Sequence, residues 1–174
     1  AIPSKKGLHP MFEEELGRLL SGSKVLDVGC GNGKISIEIC QTANKLGKKI
    51  SVLGLDVNQE AIAFALEYAA KEGVDDCRFL TKDICMMETD EDIGVFDIVL
   101  CQLVISIIGD LAQRQGLLEK SYRHLKNGGI LLLSASGASE DVNPAYLELY
   151  KRDFPITGEY RTYLSRGEPS PAEQ

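Results

Sequence analysis

The sequence predicts an α/β domain: a doubly wound, mainly parallel sheet with helices on both faces. Three observations predict it. Five apolar, β-branched runs recur along the chain without a polar alternate, the pattern of strands buried on both faces. Segments with helical spacing separate these runs in strict alternation, which calls for parallel strands joined by right-handed crossovers. The first run ends in a glycine-rich turn that opens a helix. At 174 residues the chain is long enough to bury a sizeable core.

The predicted strands are residues 24–28, 50–56, 77–82, 96–100 and 129–135. Ahead of the first, Pro10 with Glu13, Glu14 and Glu15 suits a first helical turn, and Phe12, Leu16, Leu19 and Leu20 make an apolar stripe. Residues 35–46 form the next helix. Asn58 can cap a third, which carries Ile62, Leu66 and Ala69 and which Gly73 ends. Asp110 with Gln113 resembles a capping box before a helix with Leu111, Leu118, Tyr122 and Leu125 on one face. Beyond residue 135 the alternation stops. Asn143-Pro144 opens a short helix with Leu147 and Tyr150, stopped by Pro155, and residues 166–174 read as a mobile tail. The domain organisation follows: an N-terminal helix or lid segment at 1–23, a core at 24–135, and a C-terminal extension at 136–174, incomplete and partly mobile.

Composition narrows the function classes. The apolar and charged fractions, 44% and 26%, are those of an ordinary globular domain. No apolar run approaches the ~20 residues that cross a bilayer, so no membrane partner is expected. A formal charge of −7 opposes capture of nucleic acid, and Lys5-Lys6 and Lys48-Lys49 are short basic pairs. The five cysteines, Cys30, Cys40, Cys77, Cys85 and Cys101, include no Cys-x-x-Cys pair, and His9 and His124 stand far apart, so no metal site is expected. An odd number of thiols at apolar positions points to a reducing, cytoplasmic setting.

The strongest motif is the run from Val25 through Asp27, Gly29, Cys30, Gly31, Asn32 and Gly33 to Lys34. Glycines there let a ligand lie against the backbone, and the helix start presents free N–H groups. The spacing is Gly-x-Gly-x-Gly, not the Gly-x-Gly-x-x-Gly of dinucleotide sites. Asp27 would repel a diphosphate but can pair with an ammonium, which favours the amino-acid end of S-adenosylmethionine over NAD. A tight turn without ligand is the alternative. Asp56, at the end of the second strand, can accept both hydroxyls of a ribose, or else cap a helix. Asp83 after the third strand can accept from an adenine amino group, with Ile84 against the ring. The fourth run ends at Cys101 and Gln102, and Asn127-Gly128-Gly129 turns a helix into the fifth run.

These five motifs, in this order and spacing, resemble the class I S-adenosylmethionine-dependent methyltransferase family over residues 24–135. The resemblance implies a Rossmann-like sheet of strand order 3-2-1-4-5, with strands 7 and 6 beyond. It implies S-adenosylmethionine as cofactor and S-adenosylhomocysteine as product. Asp27, Gly29 and Gly31, with Cys30, Asn32 and Gly33 of the same turn, would hold the methionine portion. Asp56 would hold the ribose, Val57 would lie beside the adenine, and Asp83 and Ile84 would recognise it. Cys101 and Gln102 would lie near the methyl group and the substrate entrance. The chain departs from the family after the fifth strand, where the C-terminal hairpin is not legible.

In-line methyl transfer asks for positioning more than proton transfer, so no catalytic base is named and His124 reads as a surface residue. A small-molecule acceptor is expected, because no Asn/Asp-Pro-Pro-aromatic or Pro-Cys motif follows the fourth strand. A protein or RNA acceptor, a non-catalytic or partner-dependent cofactor-binding subunit, and an NAD-dependent oxidoreductase remain the alternatives. Tyr160, Arg161, Tyr163 and Arg166 could face a substrate or simply pack.

Overall fold

The computed structural model describes residues 14–15, 17–87, 93–108, 110–135 and 148. Its five strands are β1 (Lys24–Val28), β2 (Ser51–Asp56), β3 (Cys77–Thr81), β4 (Phe96–Gln102) and β5 (Leu125–Ser134). All pair in parallel, in the order β3-β2-β1-β4-β5. Helices α1 (Lys34–Lys45), α2 (Gln59–Glu72) and α3 (Leu111–Arg123) lie between them, and a short 3-10 turn, Ile84–Met86, follows β3. No strand beyond Ser134 is among the described residues, and the segments around Tyr150 and Tyr163 lie outside them.

Alternation of side chains along each strand splits the core into two layers. Val25, Val52, Ile98 and Leu100 face α1 and α2, where Ile37, Cys40, Ile62 and Ala65 meet them. Leu26, Leu53, Leu55, Val99 and Cys101 face the other way, against Ile84, Met87 and Leu117. Both faces of the central strands are covered, which is why these strands read as unbroken apolar runs.

The caps form as the sequence predicts. Asn58 Oδ1 accepts from the N–H groups of Glu60 and Ala61, at 2.9 and 3.2 Å, and Gly73 ends α2 in the left-handed region. Asp110 Oδ1 accepts from Gln113 N–H at 2.8 Å.

Three expectations about faces need correction. Leu66 is exposed, because the buried face of α2 is Ile62, Ala65 and Ala69. Leu111, Leu118 and Tyr122 also face solvent, while Leu117 and Ser121 are buried. Two polar anchors set that rotation of α3: Arg114 Nε donates to the Ile108 carbonyl, and Lys120 Nζ donates to the Met87 carbonyl. Leu20 is exposed while Leu19 packs on the core, since helical geometry stops at Arg18 and the two side chains no longer share a stripe.

The fifth strand begins four residues earlier than predicted. Leu125 pairs with Phe96 and Ile130 with Ile98, so Lys126, Asn127, Gly128 and Gly129 bulge out opposite Asp97 alone. Asp97 Oδ2 fastens the bulge, accepting from Lys126 Nζ at 2.8 Å and from the Lys24 N–H at 2.7 Å. Burial raises the affinity of Asp97 for a proton, but these two donors outweigh it and hold its carboxyl below the ordinary value. A carboxylate so depressed stabilises the fold above its unfolded pKa and loses that contribution as pH falls through its native one. Replacing Asp97 by Asn is therefore expected to flatten the loss of stability on acidification. The contribution is at most about 1 kcal/mol for a partly exposed pair, read as urea midpoints at about pH 6 and about pH 3.

Gly54 lies in the middle of β2 where two side chains cross it. A Cβ there would stand 2.7 Å from Phe79 Cδ1 and 2.8 Å from Cys30 Sγ. The Gly54→Ala substitution is expected to destabilise the domain by about 1–3 kcal/mol through overpacking, measured by urea unfolding. An unchanged midpoint would mean that Phe79 and Cys30 do not meet over β2.

Candidate active site

In the order β3-β2-β1-β4-β5 the chain reverses its direction of winding between β1 and β4. Ligands of such sheets bind at the carboxyl ends of the strands at that switch point. A cavity of about 540 Å³ opens there. Its walls are Val28 and Gly29 after β1, Leu55, Asp56 and Val57 after β2, and Lys82, Asp83, Ile84 and Cys85 after β3. Gln102, Leu103 and Val104 at the end of β4 close one side, with Ile107, Ile108, Gln113 and Leu117 behind them.

The glycine turn is fastened to the end of β2. The N–H groups of Gly29 and Cys30 both donate to the Leu55 carbonyl, at 2.7 and 3.0 Å. Gly31 N–H donates to Asp56 Oδ2 at 2.8 Å, and Asn58 N–H donates to Asp56 Oδ1 at 2.9 Å. The carboxylate is thus held by one donor on each oxygen, which leaves acceptor capacity on both. Gly29 has φ +68°, and a Cβ on it would stand 2.2 Å from Val104 Cγ2, so no side chain fits between the turn and the β4 end.

Leu103 carries the strain of this arrangement. It is the only non-glycine with positive φ among the described residues, at 65°. Its N–H donates to the Ser134 carbonyl at 3.0 Å and lies 3.2 Å from Ser134 Oγ, so β5 holds the kinked residue in place. The kink carries Val104 over Gly29. Beside it, Gln102 is buried, and its Oε1 has no hydrogen-bond partner among the described residues.

The structure brings six of the sequence-predicted residues to the cavity: Gly29, Asp56, Val57, Asp83, Ile84 and Gln102. Asp83 Oδ1 also accepts from Cys85 N–H at 2.9 Å, which shapes the turn after β3. Asp27, Cys30, Gly31, Asn32, Gly33 and Cys101 are not among the lining residues. Asp27 shares the face of Val25, is buried under α1, and accepts from Ser36 Oγ at 2.6 Å. Cys101 is buried in the opposite layer. The sequence points to the segment after Gln102 as a variable wall of an acceptor pocket but does not single out Leu103, Val104, Ile107 and Ile108, apolar residues that carry no chemical signature. Cys85 was also missed; burial and the charge of Asp83 push its thiol up to about 11, so it is protonated at neutral pH. His124 caps α3, its Nδ1 donating to the Gly94 carbonyl at 2.9 Å and its own carbonyl accepting from Phe96 N–H, at the strand ends away from the cavity.

A parallel 3-2-1-4-5 sheet with a Gly-x-Gly-x-Gly turn and an acidic end to β2 defines the class I S-adenosylmethionine-dependent methyltransferase fold. The sequence profile of the methyltransferase domain matches residues 19–159, and the chain belongs to that family. It is 34% identical over 132 residues to ribosomal protein L11 methyltransferase of Thermotoga neapolitana, covering 74% of this chain and 44% of that protein. It is 33% identical over 120 residues to the mitochondrial ubiquinone biosynthesis O-methyltransferase of Mus musculus, covering 68% and 30%. Among solved structures, PKMT2 from Rickettsia typhi in complex with AdoHcy is similar at a TM-score of 0.60 and 25% identity, over 71% of this chain and 24% of that one. The chain spans less than half the length of these relatives. No described helix is long and apolar enough to cross a membrane.

Removing the Asp56 carboxylate deprives two backbone donors of their acceptors. In Asp56→Ala, amide exchange at Gly31 and Asn58 is expected to quicken about tenfold or more, while Glu60 and Ala61, which donate to Asn58, stay protected. Nuclear magnetic resonance exchange rates check this, and equal quickening at all four amides would mean that α2 as a whole had frayed.

Proposed function

We propose that this chain is the cofactor-binding domain of a methyltransferase that carries a methyl group from S-adenosylmethionine to a small-molecule acceptor in a reducing, cytoplasmic setting. The observation that carries the reading is the Asp56 carboxylate, fixed by Gly31 and Asn58 at the wall of a cavity that Gly29 of the glycine turn also lines. The residues fit the cofactor. The volume falls within the ~300–1,000 Å³ of small-ligand sites, and the buried Gln102 Oε1 is an acceptor in want of a donor.

In this reading Asp56 accepts from the ribose hydroxyls, Val57 and Ile84 flank the adenine, and Asp83 accepts from its amino group. Gly29 and the turn to Gly33 receive the methionine portion, with Gln102 beside it. Asp27 acts one step back, holding α1 through Ser36 so that the turn keeps its shape. A bound S-adenosylmethionine supplies a methyl group already activated by its sulfonium. The chain's share is to orient the acceptor and exclude water, worth on the order of 7–11 kcal/mol at best.

The acceptor we propose is small and largely apolar, because Leu103, Val104, Ile107 and Ile108 wall the β4 side. The net charge of −7 argues against nucleic acid. A protein acceptor is the second reading, favoured by similarity to ribosomal protein L11 methyltransferases.

Calorimetric titration tests the proposal. S-adenosylmethionine and S-adenosylhomocysteine are expected to bind at micromolar concentration and NAD not at all, and Asp56→Ala is expected to weaken binding about 10–100-fold. Gln102→Leu is expected to weaken S-adenosylhomocysteine but spare 5′-methylthioadenosine, which lacks the amino-acid end. Tight NAD binding with none of S-adenosylmethionine would sink the reading.

A further inference from the structure

Two cysteines stand apart from the cavity. Cys77 opens β3, at the strand end remote from the site, and Cys40 lies on α1 above it. Their sulfurs are 3.0 Å apart, and both residues are buried in the layer that α1 and α2 cover. Each thiol also has a backbone carbonyl within reach: Ser36 O at 3.3 Å from Cys77 Sγ, and Ile50 O at 3.6 Å from Cys40 Sγ. A disulfide bond is about 2.0 Å long, so roughly 1 Å of approach separates this pair from a covalent link.

We propose that Cys40 and Cys77 are a reversible disulfide site, oxidised by a hydroperoxide to a staple between α1 and β3. One sulfur attacks the peroxide, breaking its O–O bond and becoming a sulfenic acid as water leaves. The second sulfur then attacks the sulfenic sulfur, forming the S–S bond and releasing a second water. Two thiols and one hydrogen peroxide thus give one disulfide and two waters. The hydrogen bond with Cys40, and then burial, hold the Cys77 thiol well above the usual range, so the pair rests as a dithiol and reacts slowly.

The two ends of the staple are well placed to matter. Helix α1 follows directly on the glycine turn, and β3 leads into Lys82 and Asp83 on the cavity wall. The bond would close a loop running from α1 through β2 and α2 into β3, restricting the unfolded chain without entering the cavity. It is independent of what the cavity binds.

The test is to treat the purified chain with hydrogen peroxide, alkylate it in denaturant, and map its peptides before and after reduction. The expected result is a Cys40–Cys77 peptide pair released by dithiothreitol, with a thermal midpoint raised on the order of 5–10 °C and restored by the reductant. Both effects are expected to vanish in Cys77→Ala. Should that variant fail to fold, the map of the unaltered chain decides alone. Recovery of Cys40 and Cys77 fully alkylated while other thiols have oxidised would overturn the proposal, as would a cross-link through any other cysteine. A Cys40–Cys77 link with no rise in midpoint would overturn the staple.

Discussion

Gly29, Cys30 and Gly31 hand three successive N–H groups to the end of β2, two to the Leu55 carbonyl and one to the Asp56 carboxylate. Buried backbone donors must find acceptors, and a turn this tight offers them few of its own. The acceptors exist only because Val28 pairs with Leu55, so the register of β1 on β2 decides where the turn can be anchored. The side chain at position 56 is constrained in the same way. Its two oxygens take one N–H from the turn and one from Asn58, on opposite sides. An Asn there could accept one of them but would set an amide NH₂ against the other. The same carboxylate is what a ribose would need, so the fold and the proposed site ask for one residue.

The sheet's alternation divides the labour of β1. Asp27 points with Val25 toward α1 and accepts from Ser36, while Leu26 and Val28 face the other layer. An acidic residue two positions before the glycine turn therefore acts on the helix that follows the turn, tying its first turns down to the strand. The carboxyl is buried, and the hydrogen bond it accepts from Ser36 offsets part of the cost of that burial. Asp97 does the corresponding work at the other end of the sheet, gathering the start of β1 and the bulge within β5 onto the start of β4.

Much of this was legible in the residues and some was not, for physical reasons. Strands covered on both faces show as continuous apolar runs, and caps such as Asn58, Gly73 and Asp110 act within a few residues of themselves. Asp56 and Asp83 were legible for the same reason, as acidic residues at strand ends. The rotation of α3 was not legible. Its apolar stripe of Leu111, Leu118 and Tyr122 is a local pattern, but Arg114 and Lys120 reach carbonyls of Ile108 and Met87 that only the tertiary fold brings near. The early start of β5 depends likewise on Asp97, 29 residues before Lys126. The β4 wall of the cavity is apolar and leaves no chemical mark on the sequence.

That wall depends on strain. A leucine with positive φ costs about 1–3 kcal/mol unless its surroundings hold it there, and Leu103 is held by Ser134 on the next strand. With an ordinary backbone at Leu103, β4 would run straight on and Val104 would not turn back over Gly29. Gln102, the residue before the kink, is buried at the cavity wall with its amide oxygen lacking a partner among the described residues, a cost that a group donating to it would offset. Strain at Leu103 and the unpaired oxygen of Gln102 thus fall on consecutive residues of the cavity wall, where the proposed ligand would lie.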